Sequence, residues 1–286
     1  MKKHKICKIL LVILAIFLCV AFYELLGICV AYKKQPEVSN TTKKETKNGS
    51  WNECSENTER AVIIEKNPEA LLQRVRLIKN AKKEIILSTF AFQSDESGKL
   101  ILGALHDAAD RGVHIRLLVD GMESWIDMEG NPYFYGLSSH ENVEIKLYNK
   151  ANPLKPWKMM GRMHDKYLIA DGKRYIVGGR NTYNYFLGDF PGHKNYDRDV
   201  LVVCDEPEKE NSVNQLSEYF ETIWNQEDSG YFHNNKKLAN RKSVKNAVLE
   251  LQNSYQKYFE ENKERICETD YTDETFETEK ITLVSN

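Results

Sequence analysis

Residues Arg162 to Asn181 read R-M-H-D-K-Y-L-I-A-D-G-K-R-Y-I-V-G-G-R-N, and no other stretch restricts the fold as tightly. Two alternating runs rich in β-branched and aromatic residues flank Asp171-Gly172. That dipeptide favours a two-residue hairpin turn, because both positions tolerate positive φ. With such a turn Ala170 faces Lys173, and counting back pairs Lys166 with Val177, His164 with Gly179 and Arg162 with Asn181. Alternation then sets His164, Lys166, Gly179 and Asn181 on one sheet face. An imidazole, an ammonium and a carboxamide meet there, and Gly179 leaves room opposite the ring. Such a face suits a tetrahedral anion.

The pattern His164-x-Lys166-x4-Asp171-x6-Gly178-Gly179-x-Asn181 resembles, at every position, the signature of the phospholipase D superfamily. The resemblance implies an α/β fold, a mixed sheet flanked by helices, present here as one repeat. It implies His164 as the nucleophile or its acid partner, with Gly178 and Gly179 lining the substrate site. The family's acidic residue that holds the other histidine nitrogen is best matched by Asp199, with Asp197 as the alternative. Asp171 sits at the turn, away from the pocket by parity, so its expected role is structural.

The chemistry follows from the residue types. A neutral imidazole can attack phosphorus and form a covalent intermediate, dividing a hard phosphodiester cleavage into two steps. Lys166 and Asn181 would bond the non-bridging oxygens and stabilise the developing charge. This scheme calls for no cofactor and no metal. The leaving alkoxide needs a proton, which the family supplies from the histidine of a second signature. The sequence has no second H-x-K. Single-signature members of the superfamily dimerise, whereas cardiolipin synthase-like members carry two repeats. The expected partners are therefore a phospholipid substrate, the membrane, and either a second copy of this chain or a missing second repeat. A membrane-anchored nuclease and a non-catalytic half-domain are the alternatives.

Charge bears on that choice. The 286 residues carry a formal net charge of −2, so no global basic field draws the chain to nucleic acid. Of six cysteines, Cys7, Cys19 and Cys29 lie in or beside the N-terminal apolar segment, and Cys54, Cys204 and Cys267 are scattered, with no C-x-x-C among them. A zinc site is disfavoured, and one disulfide among the three is allowed if the domain lies outside the cell.

Residues Ile9 to Tyr32 form an apolar run of 24 residues broken only by Glu24, long enough to span a bilayer as a helix. Lysines concentrated before it favour a cytoplasmic N-terminus and an extracytoplasmic domain in a single-pass protein. The expected organisation is an uncleaved signal anchor over 1–34, a flexible polar tether over 35–59, and the folded domain over 60–265. A linker, with the start of a further repeat, is expected over 266–286. Within the domain, strands are expected at 61–65, 84–92, 113–119, 143–148 and 198–203. Helices are expected at 67–82, 98–109, 211–226 and over much of 238–264. Asp120-Gly121 is expected to open a loop, and Ile281 to Val284 to form a terminal strand. The loop Ala151 to Met160 mixes Trp157, Met159 and Met160 with Lys155 and Lys158, as lipid-contacting segments do; a plain pocket wall has the same composition.

Overall fold

The computed structural model describes residues 2–33, 40, 43, 59–204, 211–233, 235–279 and 281–283. The first elements are α1 (Lys2–Lys33), β1 (Arg60–Ile64), α2 (Asn67–Asn80), β2 (Glu84–Thr89), α3 (Glu96–Asp110) and β3 (His114–Asp120). Two short helices, α4 (Gly121–Asp127) and α5 (Pro132–Ser138), precede β4 (Val143–Tyr148). After a single 3-10 turn at Pro156–Lys158 come β5 (Tyr167–Ala170), β6 (Arg174–Gly178) and β7 (Asp199–Val203). The chain continues through α6 (Ser212–Trp224), β8 (Ser229–Tyr231), α7 (Lys242–Glu261) and α8 (Lys263–Cys267). It closes with α9 (Tyr271–Glu274) and β9 (Phe276–Glu277).

The strands form a nine-stranded mixed sheet in the order β8-β4-β3-β2-β5-β6-β7-β1-β9. The neighbours β2, β3 and β4 run parallel, and every other pairing is antiparallel. Alternation divides the side chains between two apolar layers. Ile85, Leu87, Ile115, Leu117, Leu168, Ile176 and Leu201 join the cluster that includes Leu71, Val75, Leu105 and Leu251 of α2, α3 and α7. Ile86, Leu118, Ile169, Tyr175 and Val202 join the opposite cluster with Leu216, Phe220 and Trp224 of α6. A strand covered on both sides has no polar face, which explains the almost unbroken apolar run at β2.

Local signals place the helices. Pro68 stands in the first turn of α2, where its missing amide hydrogen is harmless. The Asp95 side chain caps α3 by accepting from Gly98 N. Residues 121–127, expected as loop, are helical because the Asp120 carboxylate accepts from the amides of Met122 and Glu123. Two turns are too short to show an apolar period, which hid α4 and α5 from periodicity.

The body also extends beyond the expected limit of 265. Arg76 pairs with Glu274 and donates to the Thr269 carbonyl, Ile266 and Tyr271 are buried, and β9 adds to the edge of β1. Ile281 and Leu283 are not in a strand: they pack on the α6 side of the sheet, and Leu283 N donates to Gln215 Oε1 at 2.9 Å. Val284 lies outside the described residues, as do Cys54 and the tether apart from Asn40, Lys43 and Glu59. Glu59 belongs to the folded body, its carboxylate accepting from the amide and hydroxyl of Ser212. Cys267 is an exposed free thiol and Cys204 is buried.

Helix α1 is the one helix among the described residues long and apolar enough, by length and composition, to cross a membrane. It is not isolated from the domain. The Tyr23 hydroxyl donates to the Leu154 carbonyl at 2.9 Å, and Gly27 lies so close under Pro156 that a Cβ there would collide with the proline ring.

Candidate active site

The candidate site lies along one edge of the sheet. The carboxyl ends of β2, β3 and β6 meet the amino ends of β5 and β7 there. In open α/β sheets the carboxyl ends of parallel strands are where ligands bind, since the chain leaves the sheet there and opens a crevice.

The hairpin that carries the motif differs in register from expectation. Asp171 and Gly172 do take positive φ, 56° and 62°, and Lys173 N donates to Ala170 O at 3.0 Å. The ladder nevertheless pairs Ala170 with Arg174 and Tyr167 with Val177, one residue on from the expected alignment. The Lys173 carbonyl is taken instead by Cys204 N, at 2.8 Å, beyond the end of β7. Lys166 thus faces Gly178, whose amide donates to the Lys166 carbonyl at 3.1 Å. His164 and Lys166 precede β5, and Gly179 and Asn181 follow β6, so the site is made by strand exits rather than by one pleated face.

Phe90 and Ala91, just past β2, form the wall around which these residues gather. The Phe90 ring meets the His164 ring edge-on, centroids 4.7 Å apart, and lies 5.3 Å from Lys166 Nζ and 4.9 Å from the Arg162 guanidinium. Asn181 Oδ1 accepts from Ala91 N at 3.2 Å, and the Asn181 side chain also bonds the Tyr183 hydroxyl. With its oxygen held by a backbone amide, Asn181 presents its NH2 end as donor.

Partial desolvation of the ring, and next the Lys166 ammonium, hold the His164 imidazole below its ordinary value, against the opposing pull of Asp165 and Asp120. Burial pushes the Lys166 ammonium down to about 8, although Asp165 and Asp197 act to raise it. The imidazole is therefore neutral and the lysine still largely charged near pH 7, the protonation states that attack on an anionic phosphorus requires.

Asp171 stands apart from this group. Its carboxylate accepts from the amides of Lys82, Lys83 and Glu84 at 2.9, 2.7 and 3.0 Å, clamping the turn between α2 and β2 onto the hairpin. The two glycines are needed for close packing. A Cβ on Gly178 would strike Asp199 and the Arg198 carbonyl, and one on Gly179 would strike the Asp197 carboxylate. The space expected to be open opposite the histidine at Gly179 is thus filled by Asp197. Asp199 does not orient the imidazole: it is fully buried, and its Oδ2 meets Arg74 at 2.8 Å and Arg180 at 3.2 Å. Its Oδ1 has no hydrogen-bond partner among the described residues. Arg180 also donates to the carbonyls of Ile64 and Glu65, tying the end of the motif to β1.

Sequence reasoning passed over Phe90 and Asp120, and offered Asp197 only as the alternative to Asp199. Asp120 is buried at the end of β3 and accepts from Arg162 at 2.8 Å and from Met163 N at 3.0 Å, which fixes the approach to His164. An acid closing a parallel strand was the signal available for it. Among the described residues no group of three or more His, Cys, Asp or Glu is placed to hold a metal ion.

Residues 74–224 match the family model described as cardiolipin synthase, phospholipase D-like domain. The chain is 30% identical over 212 residues to an uncharacterized protein of Helicobacter pylori strain J99, covering 69% of this chain and 39% of that one. It is 30% identical over 154 residues to cardiolipin synthase C of Escherichia coli K12, covering 49% of this chain and 31% of that enzyme. The chain thus spans well under half the length of these curated relatives. Among solved structures, phosphatidylserine synthase of Haemophilus influenzae aligns with a TM-score of 0.49 at 17% identity, over 77% of this chain and 48% of that one.

Proposed function

Because the chain belongs to the phospholipase D superfamily, within its cardiolipin synthase-like domains, we propose that it cleaves or transfers phospholipid phosphodiesters through a phosphohistidine at His164. One observation carries the reading: an accessible imidazole kept neutral beside a buried, charged lysine at one sheet edge. A ring nitrogen of His164 bonds to phosphorus as the bond from phosphorus to the leaving alcohol oxygen breaks, and that oxygen takes a proton from a second acid. A water or alcohol hydroxyl then returns a proton to that group and attacks phosphorus, and the nitrogen–phosphorus bond breaks. Lys166 and the Asn181 amide face the non-bridging oxygens, whose charge grows in both steps. The second acid is the histidine of another copy of the motif, facing the first across the scissile bond. The net charge of −2 favours lipid over nucleic-acid phosphodiesters.

The test is chemical quench of the full chain with a phosphatidyl lipid radiolabelled at phosphorus. Acid-labile label on the protein is expected, absent from His164→Ala. Turnover by His164→Ala at the wild-type rate would remove this residue from the reaction. Preferential cleavage of single-stranded DNA would replace the lipid reading with a nuclease.

A further inference from the structure

We propose that the loop from Asn152 to Met160 is a membrane-seated edge of the active site, docked on the anchor helix and inserted below the headgroups into the outer leaflet of the bilayer. This rests on reading α1 as a membrane span and the hairpin as a phospholipid site. The helix fixes the depth. At 1.5 Å per residue, Gly27 and Tyr23 lie roughly 8 and 14 Å short of Tyr32, the end of the apolar run. The 24-residue run is about 36 Å long, somewhat more than the roughly 30 Å hydrocarbon layer. With the run centred on that layer, Gly27 lies roughly 5 Å and Tyr23 roughly 11 Å inside the outer boundary of the hydrocarbon, and the loop touches α1 at both. The Tyr23 hydroxyl bonds the Leu154 carbonyl, and Gly27 packs under Pro156. A loop held at that depth cannot stand clear of the bilayer.

Its side chains fit the place. Leu154 is 78% exposed, Met160 52% and Trp157 45%, three large apolar groups that turn outward within seven residues. Lys155 is exposed beside them, suited to reach lipid phosphates. The loop also has a rigid seat on its inner side. Asn149 donates to the carbonyls of Lys158 and Gly161, and Lys158 pairs with Asp228 at 2.8 Å. His164 follows Met160 by four residues, so at most about 14 Å of extended chain separates them. The pocket therefore meets phosphodiesters where headgroups lie, and its substrate is a phospholipid still resident in a bilayer.

Trp157 reports on this directly. The full chain is incorporated into vesicles of phosphatidylglycerol and phosphatidylcholine, with and without acyl-chain bromine as quencher. Bromolipid is expected to quench wild-type fluorescence, Trp157→Phe to remove at least about half of that quenching, and Leu154→Trp in the Trp157→Phe background to restore it. Equal bromolipid quenching of wild type and Trp157→Phe, or quenching of Trp157 by aqueous iodide instead, would overturn the proposal. Failure of the protein to float with vesicles would overturn both the anchor and the proposal. Turnover is scored separately: an inactive protein with Trp157 in lipid leaves the seating standing and refutes only the proposed chemistry.

Discussion

The His164 imidazole is held below its ordinary 6.5 chiefly by partial desolvation, and the Lys166 ammonium is lowered to about 8 by burial. The two shifts bound a pH window from opposite sides. Attack needs neutral imidazole, so activity should rise with pH through the lowered His164 value and have its acid limb below 6.5. Charge stabilisation needs protonated lysine, so activity should fall as pH passes about 8. At pH 7 a lysine with that value is roughly nine-tenths charged. A pH profile of kcat/KM on a soluble phosphodiester should show both limbs, and Lys166→Met should lose the part of the alkaline fall near 8 while keeping the part due to deprotonation of the partner imidazole. The same substitution should lower kcat by about a hundredfold or more, near 3 kcal/mol, as loss of a donor to developing oxyanion charge does.

At the scale of elements, the β5–β6 hairpin is positioned by contacts made far away in sequence. Asp171 grips three amides at residues 82–84. Removing it should strip charge-assisted bonds from a part-buried turn, and Asp171→Ala should lower stability by on the order of 3 kcal/mol in urea unfolding. Asp199 makes a sharper case. Asp199→Asn leaves Arg74 and Arg180 without their buried counter-charge, and a loss of roughly 3–5 kcal/mol is expected. Unchanged stability with reduced kcat would instead return Asp199 to the reacting histidine. The contrast shows what the sequence could and could not reveal. Alternating or unbroken apolar runs made β2, β4 and β7 readable, and the spacing of His164, Lys166 and Asn181 marked the motif. The partners of those residues were not readable. The register of the hairpin depends on a carbonyl that Cys204 takes from outside it, and the contact between Asp199 and Arg74 spans 125 residues. Phe90, read as lying within the strand expected at 84–92, becomes a site wall only because β2 and β5 are neighbours.

For the whole molecule, the proposed in-line displacement places attack and leaving-group protonation on opposite sides of phosphorus, so one copy of the motif supplies half of the acid–base chemistry. Activity of the full chain should therefore follow the population of paired copies. On dilution in detergent, specific activity is expected to drop as sedimentation shows monomer. Mixing wild type with excess His164→Ala should suppress activity below simple proportion. Activity that stays constant through a fully monomeric range would refute the pairing. One feature of the sheet bears on time. The pocket exists only where β5 has paired with β2, where Asp171 reaches residues 82–84, and where Arg180 reaches the end of β1, contacts spanning roughly 80 to 120 residues. Closing such long loops is slow compared with forming helices such as α2 and α3. A nascent or refolding chain should therefore regain its helical signal well before any reactivity toward a phosphodiester, and the proposed nucleophile is in place only in molecules whose sheet is already complete.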